Sequence, residues 1–166
     1  MARLYRFLTE DDTSAFCHKV SAAVAKGWEL HGPPQYAFDA ARGVSVLFGG
    51  RSSDTWEWDG STWTRCMTAT NPAANYLNAL VYDPARRRII LVGGHGGLIE
   101  TGHFETWEFD GRDWSLRFHR SHPGQRTGHA MAFFEPSGKT LLFGGYGGMG
   151  LYGDFWEWDG ERWIEL

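Results

Sequence analysis

The sequence predicts a mainly-β fold made of three copies of one four-stranded unit, and three observations carry that expectation. A Trp-rich string recurs as DTWEWDGSTW (Asp54 to Trp63), ETWEFDGRDW (Glu105 to Trp114) and DFWEWDGERW (Asp154 to Trp163). A diglycine closes an apolar run three times, in AFDAARGVSVLFGG (Ala37 to Gly50), VYDPARRRIILVGG (Val81 to Gly94) and AFFEPSGKTLLFGG (Ala132 to Gly145). Gly50 to Gly94 is 44 residues, Gly94 to Gly145 is 51, Trp56 to Trp107 is 51 and Trp107 to Trp156 is 49. A period of about fifty residues is the mark of stacked repeats. The third observation is composition: 22 Gly and 9 Trp in 166 residues suit short strands joined by tight turns.

The first 34 residues read differently from the rest. LYRFL, Leu4 to Leu8, is a short strand candidate. Asp12 or Thr13 can cap a helix that Gly27 ends. Phe16, Val20 and Val24 fall four apart and draw one apolar face, with Cys17 beside it and Trp28 just beyond. A strand–helix–strand attachment over residues 1–34 is the expectation. Tyr5, Arg6, Leu8, Thr9, Phe16, Cys17, His18, Val20, Gly27, Trp28, Glu29 and Leu30 resemble a small bacterial and phage family of unknown function. In that family a β-hairpin follows. Here the hairpin would be Gln35 to Gly49, which also opens the first repeat. The resemblance implies shape and no chemistry.

Within residues 35–166 the three copies fall at about 35–66, 75–117 and 126–166. NALVYD (Asn78 to Asp83) and HAMAFF (His129 to Phe134) read as first strands. RIILVGG and TLLFGG are near-continuous apolar runs, as expected of second strands buried on both faces. DPARR and EPSGK between them are turns. TWEWD and its relatives form the third strand, and the Asp-Gly after it turns the chain into the fourth. A two-residue loop would set Trp56 opposite Trp63, Trp107 opposite Trp114 and Trp156 opposite Trp163. A four-residue loop would pair Trp58 with Trp63 instead. The diglycines lack Cβ atoms, so other backbone can approach them closely where sheets stack.

One such sheet cannot bury both apolar faces alone, whereas radial stacking buries them and leaves short edges. The unit resembles the kelch repeat of β-propellers: a diglycine ending the second strand, an aromatic in the third and a Trp in the fourth. HAMAFFEPSGKTLLFGGYGG…GDFWEWDGERW resembles the bacterial version most closely. Closed propellers use about four to eight blades, so three leave two apolar end faces. A homodimer forming a six-bladed ring is the expected closure. The rival is a monomer in which the N-terminal attachment covers one end, or some other assembly.

A net charge of −4 with acids and bases interspersed gives no basic stripe, so no nucleic-acid partner is expected. No apolar run reaches the length of a membrane span, and no membrane partner is expected. MARLYRFLTEDD lacks a signal core, which places the protein in the cytoplasm by expectation, with Cys17 and Cys66 as reduced thiols. The variable loops gather on one face: Arg51 to Ser53, Cys66 to Tyr76, His95 to Phe104, Arg117 to His129 and Tyr146 to Gly153. They make His95, His103, His122, His129, Asn78, Arg126, Tyr146 and Tyr152 the candidate ligand-binding residues. His129 and Asn78 hold matching positions at the start of the first strand. Arg120 and Arg126 with Tyr146 and Tyr152 can line a mouth for an anion or a sugar, or be solvated loop residues.

The expected function is a binding module for a small ligand, a glycan or a protein. The alternative is a small-molecule enzyme at the channel mouth, with catalytic residues unknown. No cofactor signature is present. A metal held by His95, His103 and His122, with Glu100 or Glu105, is the minor alternative to surface histidines. Glu57, Glu108 and Glu157 recur in every copy, which suits ion pairs between stacked units or solvated carboxylates at the outer edge better than acid–base catalysis.

Overall fold

The computed structural model describes residues 35–49, 52–96, 104–118, 121–148 and 150–166, all within a compact unit that runs from Gly32 to Leu166. The strand–helix–strand expectation for residues 1–34 lies outside the described residues. Among those described, every regular element is a strand, and no helix is long and apolar enough to cross a membrane.

The first sheet comprises β1 (Gln35–Asp39), β2 (Val44–Phe48), β3 (Thr55–Trp58) and β4 (Trp63–Arg65). The second comprises β5 (Ala79–Asp83), β6 (Arg88–Val92), β7 (Thr106–Phe109) and β8 (Trp114–Arg117). The third begins with β9 (Ala130–Phe134) and β10 (Lys139–Phe143). A ribbon of β11 (Tyr146–Gly147) and β12 (Gly150–Leu151) then intervenes, and β13 (Phe155–Trp158) and β14 (Trp163–Glu165) complete the sheet. Each four-stranded sheet is antiparallel, with its strands side by side in chain order.

The Asp-Gly hairpins take the longer of the two loops read from the sequence. Trp58 pairs with Trp63, Phe109 with Trp114 and Trp158 with Trp163. The register that set Trp56 opposite Trp63 is therefore corrected: Trp56 faces Arg65. The reason is the aspartate side chain. Oδ1 of Asp59 accepts from the backbone amides of Ser61 and Thr62, both at 2.7 Å. Asp110 and Asp159 do the same two and three residues ahead. An Asx turn spends the aspartate on the loop backbone. Only the glycine that follows needs positive φ, at 96°, 92° and 101° for Gly60, Gly111 and Gly160. These amides hold the Asp59 and Asp110 carboxyls below their ordinary value.

The sheets stack in order, with β1 beside β5 and β5 beside β9. Alternation along each strand sends one set of side chains to each face. Ala37, Val46 and Phe48 of the first sheet meet Leu80, Ile89, Leu91, Trp107, Phe109 and Trp114 of the second. Ile90 and Val92 of the second meet Leu142, Trp158 and Trp163 of the third. One polar contact recurs in both seams. Trp114 Nε1 donates to Thr55 Oγ1 and Trp163 Nε1 donates to Thr106 Oγ1, each at 2.8 Å. The indoles are thus buried with their N–H groups satisfied.

Candidate functional site

The strand starts Ala79 and Ala130 and the second-strand ends Val92 and Phe143 lie at one end of the stack, opposite the tight turns. Here the chain crosses from sheet to sheet, and the crossing explains the diglycines. The entering segments Asn75–Asn78 and Arg126–His129 run directly over them. Gly94 N donates to Arg126 O at 3.0 Å and Gly128 N to Leu77 O at 3.0 Å. A Cβ on Gly93, whose φ is +64°, would lie 2.5 Å from Arg126 O and 2.8 Å from His129 Cε1.

A buried polar group forms around Gly93–Gly94. Asn75 Nδ2 donates to Gly93 O at 3.3 Å, and Asn78 Nδ2 donates to Asn75 Oδ1. A Cβ on Gly94 would lie 3.0 Å from Asn78 Cβ. Asn78 is 3% exposed and His129 is 7% exposed. Yet Asn78 Oδ1, both ring nitrogens of His129 and the adjacent His95 Nδ1 are buried without a well-formed hydrogen bond. Burial, then the neighbouring Arg126 guanidinium, pull the His129 imidazole down to about 4, with the Val92 backbone opposing. Its ring is neutral at physiological pH.

Arg126 is fully committed. It is buried and donates from Nε to Pro123 O at 2.8 Å and from Nη1 to Gly144 O at 2.8 Å. It also forms a bidentate pair with Asp154, both bonds at 2.7 Å, and lies 4.5 Å over the Tyr152 ring. Those hydrogen bonds keep the Asp154 carboxyl below its ordinary value. Arg126 therefore ties three loop segments together, and its own charge is taken up by Asp154.

The other sequence-derived candidates scatter. His95 lies against Tyr76, ring centroids 5.2 Å apart. His122 stacks on Phe104 at 5.0 Å and accepts from Gly124 N at 3.1 Å. Tyr146 is exposed, bonded through its backbone to Thr127. His103, Glu100 and Arg120 lie outside the described residues. Among those described, no three His, Cys, Asp or Glu side chains are grouped to hold a metal. Asn75 and Asp154 escaped the sequence reading. Asn75 stands where the third copy has Arg126, and that correspondence was the available signal.

The recurrent glutamates sit in ion pairs within their own sheets, which corrects the expectation of ion pairs between stacked units. Glu57 meets Arg42 at 2.6 Å. The buried Glu108 meets Arg117 at 2.8 Å and Arg86 at 3.5 Å and accepts from Trp158 Nε1 at 3.2 Å. Glu157 pairs with Lys139. Burial, then Glu57, push the Cys66 thiol up to about 11, so it is a poor nucleophile.

A family model described as a domain of unknown function, DUF1737, matches residues 2–48. The match extends through β1 and β2, so the hairpin that opens the first sheet also falls within the family's region. Comparison with curated proteins finds no match.

Proposed function

We propose that the chain is a kelch-type propeller module of three blades. Its looped end captures a neutral, hydrogen-bonding small ligand, and a second copy completes the ring. The observation that carries the binding reading is the set of buried polar atoms without a well-formed hydrogen bond at Asn78, His95 and His129. Such orphans are uncommon in native proteins and mark places where a water or ligand is bound. The ligand class follows from charge. Arg126 is neutralised by Asp154, and the imidazole of His129 is neutral. A polyol or saccharide suits this group better than an anion.

Binding is favoured over catalysis by the same numbers. An imidazole at about 4 is a weak base at neutral pH, and a thiol at about 11 is mostly protonated. The test is isothermal titration of the full chain with neutral saccharides and polyols, beside inorganic phosphate and citrate. A neutral compound should bind the wild type. Asn78→Leu or His129→Leu should abolish binding while leaving the far-ultraviolet circular dichroism unchanged. Binding of the anions alone, or neutral binding unaffected by both substitutions, counts against the assignment.

A further inference from the structure

We infer that the ligand of the looped end is a pyranose, held in a trough whose walls are Leu77 and Tyr146 and whose floor is Gly128. The inference rests on the neutral-ligand reading above and adds the ligand's shape to it.

The backbone sets the walls. Thr127–Gly128 is the middle of three neighbouring segments. On one side Gly128 N donates to Leu77 O at 3.0 Å. On the other, Thr127 N donates to Tyr146 O at 2.8 Å and Tyr146 N donates back to Thr127 O at 2.9 Å. Leu77 and Tyr146 are therefore two strand spacings apart, about 10 Å from backbone to backbone. Gly128, exposed between them, has no side chain to fill the gap. A Cβ placed on it would meet no atom of the described residues within 4 Å. The flanking Leu77 is 38% exposed and Tyr146 is 60% exposed. Such a gap admits a single ring.

The backbone does not itself call for a leucine at this point. Leu77 has φ of 59°, and the third copy holds Gly128 at the matching place with 63°. Glycine adopts that conformation without strain and leucine does not. Tyr146 in turn stands where the second copy has His95. The polar side of the trough follows along the chain. Asn78 comes directly after Leu77, and His129 directly after Gly128. Both are buried, and Asn78 Oδ1 and the two His129 ring nitrogens lack a well-formed hydrogen bond. Apolar walls beside a few convergent polar atoms are the usual build of a small-molecule site. A pyranose has C–H faces for the walls and hydroxyls on its rim for Asn78 and His129. An open-chain polyol offers the same hydroxyls without a fixed face, and ordering it costs more.

Isothermal titration of the full chain with the methyl pyranosides of glucose, galactose and mannose, beside glucitol, galactitol and mannitol, is the test. Circular dichroism checks that each variant is folded. At least one pyranoside should bind the wild type about tenfold or more tighter than its own hexitol. Leu77→Asn keeps a residue at ease with positive φ and removes the apolar wall. Tyr146→Ala removes the other wall at an exposed position. Each should weaken pyranoside binding about tenfold or more and reduce the preference over the hexitol, a ratio that a general loosening of the fold would not move. Gly128→Asn, also tolerant of positive φ, should fill the trough and abolish pyranoside binding. A wild type that binds neither pyranosides nor hexitols overturns the trough and the neutral-ligand reading together. Hexitols bound as tightly as pyranosides overturn the trough alone. So does pyranoside binding that is lost in Asn78→Leu but kept in Leu77→Asn, Tyr146→Ala and Gly128→Asn.

Discussion

His129 shows how burial of one titratable residue ties the fold to pH. Its imidazole is held at about 4 against an ordinary 6.5. Above pH 6.5 the folded and unfolded chains both keep it neutral, and its contribution to stability is complete. Between 6.5 and about 4 only the unfolded chain takes up the proton, so stability falls as pH falls. The loss should amount to about 3 kcal/mol across that window. Urea denaturation at several pH values should show it in the wild type, and His129→Asn, which copies Asn78, should flatten it. Arg87 is a second case. It adopts φ of 54° where the other copies have Gly43 and Gly138 at 66°. A side chain there is strained, so Arg87→Gly should stabilise the fold by up to about 1 kcal/mol in the same assay. Gly93→Ala should do the reverse and by more, about 3 kcal/mol or above, because the added methyl meets backbone that cannot move aside.

At the scale of strands and seams, much was legible from the repeat. Three apolar runs ending in diglycine became β2, β6 and β10, and three Trp strings became β3–β4, β7–β8 and β13–β14. Period-two alternation and turn chemistry are local, so the sequence carries them. The hairpin register was less legible, because it depends on whether the aspartate side chain bonds the loop. Arg126 was misleading for another reason. Its partner Asp154 lies 28 residues on, and nothing local distinguishes a buried, paired arginine from a solvated one. The threonine–indole bonds were hidden likewise, since Thr55 and Trp114 are 59 residues apart. They matter to the stack: Thr106→Val keeps the shape but leaves the Trp163 N–H buried without an acceptor. Its expected cost is about 1–3 kcal/mol. Trp163 fluorescence should still show a buried indole, which separates a lost bond from a lost seam.

For the stack as a whole, the decisive property is that the three sheets of the described residues, packed in order, end in two unlike faces. Each internal seam is closed by an apolar cluster and a threonine–indole bond. The ends expose Trp63 on one side and Phe134, Phe143 and Phe155 on the other. If a second copy covers them, part of the folding free energy comes from association, and apparent stability must depend on protomer concentration. Thermal unfolding followed over a hundredfold dilution should therefore show Tm falling with each step, until the dimer dissociates before it melts. Phe155→Asp should start from the lower plateau and show no such dependence. A wild-type Tm that is constant over the whole range would mean that each protomer is stable with its ends as they are. The exposed aromatics would then need an explanation other than a partner copy.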